Sequence, residues 1–192
     1  SVFVVGCLGI LQNIDITIAK VLFSPETAGI YSGISILSNS LYYICFLLVW
    51  IVIPEIDIKN KIINNRVLGT AYKVIGLLAV CVLSAEYLLR NFLAKLLLGS
   101  QFAQQGNLLI FASIFQLGLI SIVLYAYYLL VCRRSESILL TVLVVSYSIC
   151  LPLLFASSPI ALIQSLCAAL ALAVSSYAVI RVVSRSFFKT IV

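Results

Sequence analysis

From Ser137 to Ile180 the chain carries no charged residue, and none occurs from Thr27 to Pro54 either. Apolar runs of this length have no place in water. A bilayer hydrocarbon core about 30 Å thick takes about 20 consecutive apolar residues as a helix. Within lipid each backbone amide and carbonyl must find its partner inside the protein, so such runs fold as helices or as closed barrels. Their length and continuous apolarity choose helices. The composition agrees: 64% of the 192 residues are hydrophobic and 9% are charged, against about 25% charged in a soluble domain. The expected fold class is all-α, a polytopic membrane helix bundle of about six transmembrane helices. The net charge of +6 is carried mostly between and after the apolar runs, where the positive-inside rule places Lys and Arg. It is therefore read as topology, and no nucleic-acid partner is expected.

Changes in polarity place the spans at about 2–23, 27–52, 67–89, 103–131, 137–155 and 160–182, all within one lobe covering residues 1–192. A short interfacial helix is predicted at about 90–98, where Arg90 and Lys95 stand among Leu and Phe, with Gly99 as its C-cap. Ser24 is a good N-cap for the second span, with Pro25 at the first helical position and Glu26 in the first turn. Gly29 and Gly33 are expected to allow close helix approach. Trp50 sits where an interfacial belt would hold it, and Pro54 closes the helix. A polar loop follows over residues 55–66. Pro152 and the Ser157-Ser158-Pro159 turn divide the long uncharged run. Lys and Arg gather in the 55–66 loop, the 132–136 loop and the tail, and are missing from the 24–26 and 157–159 turns. Both ends of this piece are thus expected on the cytoplasmic side. The chain opens on Ser1 inside an apolar run, without a basic n-region or a small-residue cleavage site. It is expected to be a piece of a longer chain.

Polar residues inside the spans are costly and mark candidate function. In the first span Asn13, Thr17 and Lys20 fall on one helical face, and Gln12 and Asp15 form a second. Asp15 and Lys20 lie about 140° apart around the helix, so a bridge between them is strained. In the second span Tyr31, Ser35, Ser38, Asn39 and Tyr42 share one face. The candidate cavity-lining and substrate residues are Asn13, Asp15, Thr17, Lys20, Tyr31, Ser35 and Asn39. The competing reading is structural: polar contacts that lock helices together, and snorkelling of Lys20 to the interface. Lys73 reads as a snorkelling anchor. The six cysteines, Cys7, Cys45, Cys81, Cys132, Cys150 and Cys167, read as small buried hydrophobes. The chain has no His and shows no phosphate loop, dinucleotide fingerprint or nucleophile elbow. No catalytic residue, metal site or cofactor is expected, and the chain is not read as an enzyme.

The order Asn13-Ile14-Asp15, Lys20, Ser24-Pro25-Glu26-Thr27-Ala28-Gly29-Ile30-Tyr31 and Val52-Ile53-Pro54 resembles the start of the second lobe in the polysaccharide flippases. These belong to the multidrug/oligosaccharidyl-lipid/polysaccharide exporter superfamily. Leu97-Leu98-Gly99-Ser100-Gln101-Phe102 is similar to the Leu-Phe-Gly-x-x-Phe/Tyr element before the fourth helix of that lobe. The resemblance implies a two-lobed transporter of which this is the C-terminal lobe, with the missing N-terminal lobe of the same chain as its partner. The implied activity is turning an undecaprenyl-diphosphate-linked oligosaccharide across a bacterial plasma membrane by alternating access, for polysaccharide or O-antigen export. The implied partners are that lipid-linked saccharide, membrane lipids and a coupling cation. Lys20 is the candidate for offsetting the diphosphate charge, and Asp15 for setting the environment of Lys20 or for ion coupling. The family's cavity is strongly basic over both lobes. This chain has few basic residues at depth, which leaves the first lobe to supply them, or the cargo to be less anionic than a diphosphate. The alternatives are a cation-coupled multidrug extruder of the same superfamily and a non-transport scaffold or enzyme of envelope assembly.

Overall fold

The computed structural model describes residues 2–56, 60–99, 106–132 and 135–191. Seven α-helices follow in order: α1 Val2–Leu11, α2 Ile14–Leu22, α3 Pro25–Val52, α4 Lys61–Leu98, α5 Gly106–Val131, α6 Glu136–Phe155 and α7 Pro159–Ile191. A short 3-10 turn, Ile53–Glu55, closes α3. No strand occurs among the described residues. Five helices are long and apolar enough to cross a membrane, and α1 and α2 together make a sixth candidate. The chain is an all-α membrane protein.

Helix α5 is the centre. Buried side chains occur all around it, from Leu108 and Leu109 through Phe115 and Gln116 to Leu129, the pattern of a helix with neighbours on every side. It packs against α3, α4, α6 and α7. Gly118 permits a close approach to α7: a Cβ at this position would meet Leu170 Cδ1 at 3.2 Å. At Gly29, by contrast, nothing lies within 4 Å of where a Cβ would stand, so the close approach expected there is not made.

Several expected boundaries hold for local reasons. Ser24 caps α3, its hydroxyl accepting from the Thr27 amide at 3.5 Å. Ser158 accepts from the Ala161 amide at 3.2 Å at the start of α7. Other boundaries move. The single span expected over 2–23 is broken at Gln12–Asn13, and α1 and α2 meet at 52°. The polar stretch expected as a loop is helical from Lys61, where the Asn60 side chain accepts from the amides of Ile62 and Ile63 at 3.1 and 3.2 Å. The separate interfacial helix expected at 90–98 is instead the last part of α4, which runs unbroken to Leu98. Gly99 then ends it with φ of +105°, a conformation favouring a residue without Cβ. Pro152 lies inside α6 and does not end it; the break falls at Ser157–Ser158. Residues 100–102 of the Leu97–Phe102 element, 57–59 of the 55–66 loop, and Arg133 and Arg134 lie outside the described residues.

The cysteines do not form one buried set. Cys45 is buried, while Cys81 and Cys150 face outward from the bundle. An apolar lipid surround accepts a thiol as readily as a packed interior does.

Candidate functional site

The break in the first span is built from its own residues. Asn13 departs from helical geometry, at φ −119° and ψ 16°, and its amide bonds to the Ile10 carbonyl at 3.3 Å in a tightened turn. Asn competes with helical hydrogen bonding and favours such positions. Its side chain makes no capping bond to α2. It turns to the neighbouring helix, where Asn39 Nδ2 donates to Asn13 Oδ1 at 3.4 Å. The Asn13 carbonyl starts α2 by accepting from the Thr17 amide at 3.2 Å and the Thr17 hydroxyl at 3.1 Å.

Below the break a buried polar network joins three helices. Asp15, in the first turn of α2, is 1% exposed. Its Oδ2 accepts from the Tyr31 hydroxyl at 3.1 Å and from the Ser35 hydroxyl, both on α3. One α3 turn on, Asn39 donates to Asn13 and accepts from Gln116 Nε2 of the central α5. Two acceptors of this network, Asp15 Oδ1 and Gln116 Oε1, have no hydrogen-bond partner among the described residues. The face predicted on α3 is real: Tyr31, Ser35, Ser38, Asn39 and Tyr42 are all buried.

The seven candidate residues therefore divide into two sets. Asp15, Tyr31, Ser35 and Asn39 are enclosed between helices, while Asn13, Thr17 and Lys20 lie exposed on the outer face of α2. Asp15 and Lys20 do not pair. Lys20 has no hydrogen bond or ion pair among the described residues, and it lines an open hollow of about 410 Å³ with Phe23, Pro25, Ala28, Gly29 and Ser32. The two sets meet at Asn13, whose backbone starts the exposed strip and whose side chain joins the buried network. Lys73 is exposed, as an anchor at the interface requires. No group of three or more His, Cys, Asp or Glu able to hold a metal ion occurs among the described residues.

Two further polar groups were not singled out from sequence. Gln116 is the far end of the Asn13–Asn39 chain. Glu86, deep in α4, is 8% exposed and accepts from the Ser113 hydroxyl of α5 at 2.7 Å. Each is an isolated polar residue in an apolar span, which is the signal that could have found them. At the other end of the bundle Arg181 of α7 pairs with Glu136 of α6 at 3.3 Å and donates to the Tyr125 hydroxyl at 2.8 Å. Tyr177 donates to the same Glu136 oxygen at 2.8 Å. This cluster ties α5, α6 and α7 together beside a cavity of about 580 Å³.

No protein-family model, characterised protein or solved structure matches this chain.

Proposed function

We propose that the chain is one lobe of a two-lobed membrane transporter. It would move an undecaprenyl-diphosphate-linked oligosaccharide across the bacterial plasma membrane by alternating access, with both ends of this piece cytoplasmic. The observation that carries the reading is α2. A helix broken within its apolar span turns a buried polar network inward and a strip of Asn13, Thr17 and Lys20 outward. Transporters place substrate and ion sites at such interrupted helices, at the interface between repeats. An unpaired cation beside an open hollow suits the diphosphate of a lipid-linked saccharide, because it offsets the cost of bringing that charge into the membrane. The order of residues around Asp15, Lys20 and Ser24–Tyr31 supports the same family of substrates.

The test is Lys20→Ala in the complete protein, with export of the lipid-linked saccharide measured in cells and insertion checked by membrane immunoblot. Export is expected to be lost at normal protein levels and restored by Lys20→Arg, which keeps the charge. Normal export by Lys20→Ala removes Lys20 from the path. Loss of resistance to cationic drugs with saccharide export intact would favour a cation-coupled multidrug extruder, a reading that draws on the buried Asp15.

A further inference from the structure

Glu86 lies in none of the machinery above. It stands on α4, one face of which packs against α5 and α3. One carboxylate oxygen, Oε1, accepts from Ser113 at 2.7 Å. The other, Oε2, is buried and has no hydrogen-bond partner among the described residues. The side chain borders a cavity of about 320 Å³ between α3, α4 and α5. The groups facing it from α3 are Leu37, Ser40, Leu41 and Ile44, and from α5 Leu109. On its own helix the one other titratable group lining the cavity, among the described residues, is Cys81, and among them no other charged side chain lines it.

The oxygen count decides what such a site can hold. Calcium takes six to eight oxygen ligands and magnesium six in near-ideal geometry. Here the free oxygen of Glu86 has for company the hydroxyls of Ser113 and Ser40. The first is already donated to Glu86 and the second to the Leu37 carbonyl. A metal cation would lack most of its shell. A proton needs one oxygen. An acid placed in an apolar span, with no basic partner among the described residues, is costly as a permanent charge and is the kind of group found in proton relays.

We infer that Glu86 is a proton-binding site that loads and unloads from within the membrane, making the proton the coupling ion of this lobe. The use of the proton rests on the transport reading; its binding at Glu86 does not.

Two measurements on the full-length protein separate these levels. Dicyclohexylcarbodiimide, an apolar reagent, takes up the proton of a protonated carboxyl and is attacked by the resulting carboxylate. The adduct rearranges to a stable N-acylurea that peptide mass spectrometry locates. In detergent-solubilised wild-type protein, Glu86 is expected to be modified. The modification should fall at least severalfold as pH is raised and stay unchanged when sodium replaces choline at equal ionic strength. Absence of an adduct at Glu86 at every pH overturns the site. Protection by sodium overturns the proton and makes this a metal-cation site. Because the wild-type adduct is mapped directly, this result does not depend on a variant folding.

The second measurement is saccharide transport in vesicles under an imposed pH gradient. Glu86→Gln is expected to abolish the response to the gradient, and Glu86→Asp, which keeps a carboxyl, to retain part of it. A Glu86→Gln protein that still responds overturns the coupling role. If the wild-type protein moves no saccharide, the flippase reading fails while the labelling result still decides whether Glu86 binds a proton.

Discussion

Asp15 and Glu86 are both acids buried within apolar helices, and each leaves one carboxylate oxygen without a hydrogen-bond partner among the described residues. They differ in what surrounds the other oxygen. At Asp15 two hydroxyls from α3 converge on Oδ2, and the residue sits in the first turn of α2, where the helix dipole favours negative charge. At Glu86 one hydroxyl is present, the residue lies far from either end of a 38-residue helix, and a cavity borders the side chain. Asp15 is part of how two helices are joined. Glu86 has fewer groups committed to it. The contrast teaches that two buried acids can differ in how many neighbours hold them, which is the difference that the proposal for Glu86 rests on.

The contrast can be broken at its strongest point first. Asp15→Ala leaves the Tyr31 and Ser35 hydroxyls without their acceptor in a buried contact, at a cost of about 1–3 kcal/mol. A clear fall in the unfolding midpoint in detergent is expected, and an unchanged midpoint would undo the structural role. Next, Gln116→Leu cuts the link from α5 to Asn39 and is expected to cost about 1 kcal/mol, within the range for interhelical bonds in membranes. Tyr31→Phe removes one of the two donors to Asp15, with an expected loss of about 0.6 kcal/mol. The smallest effect belongs to Glu86→Gln. Its amide oxygen can still accept from Ser113, so the one interhelical bond is kept and the loss should stay below that of Tyr31→Phe, under about 0.6 kcal/mol, measured in the same unfolding titration. If Glu86→Gln destabilises as strongly as Asp15→Ala, the distinction between the two acids collapses.

Much of the bundle was legible because its signals are local. The uncharged runs after Thr27 and after Ser137 set three of the spans. Ser24-Pro25-Glu26 started α3 where it starts, and the spacing of Tyr31, Ser35, Ser38, Asn39 and Tyr42 gave its buried face. The break at Gln12–Asn13 was not legible as a break. Gln12 and Asn13 are only two polar residues in a run otherwise continuous enough to read as one span, and the partner that the Asn13 side chain turns to, Asn39, lies far along the chain. The continuity of α4 past Leu89 was missed for the opposite reason. Arg90 and Lys95 looked like an interfacial boundary, yet Arg, Lys, Leu and Ala are all good helix formers, and nothing stops the helix before Gly99. The division of the candidate residues into an enclosed and an exposed set also depended on knowing which helix lies behind α2. Helical spacing placed Asp15 and Lys20 on different faces, but it could not say that α3 covers one of them.

Helix α4 has 38 residues, which at 1.5 Å per residue makes a rod about 57 Å long. The hydrocarbon core is about 30 Å thick, so a good part of the rod reaches beyond it. A straight lever of that length amplifies rotation: a tilt of about 10° about one end carries the other sideways by about 10 Å, given the rise per residue.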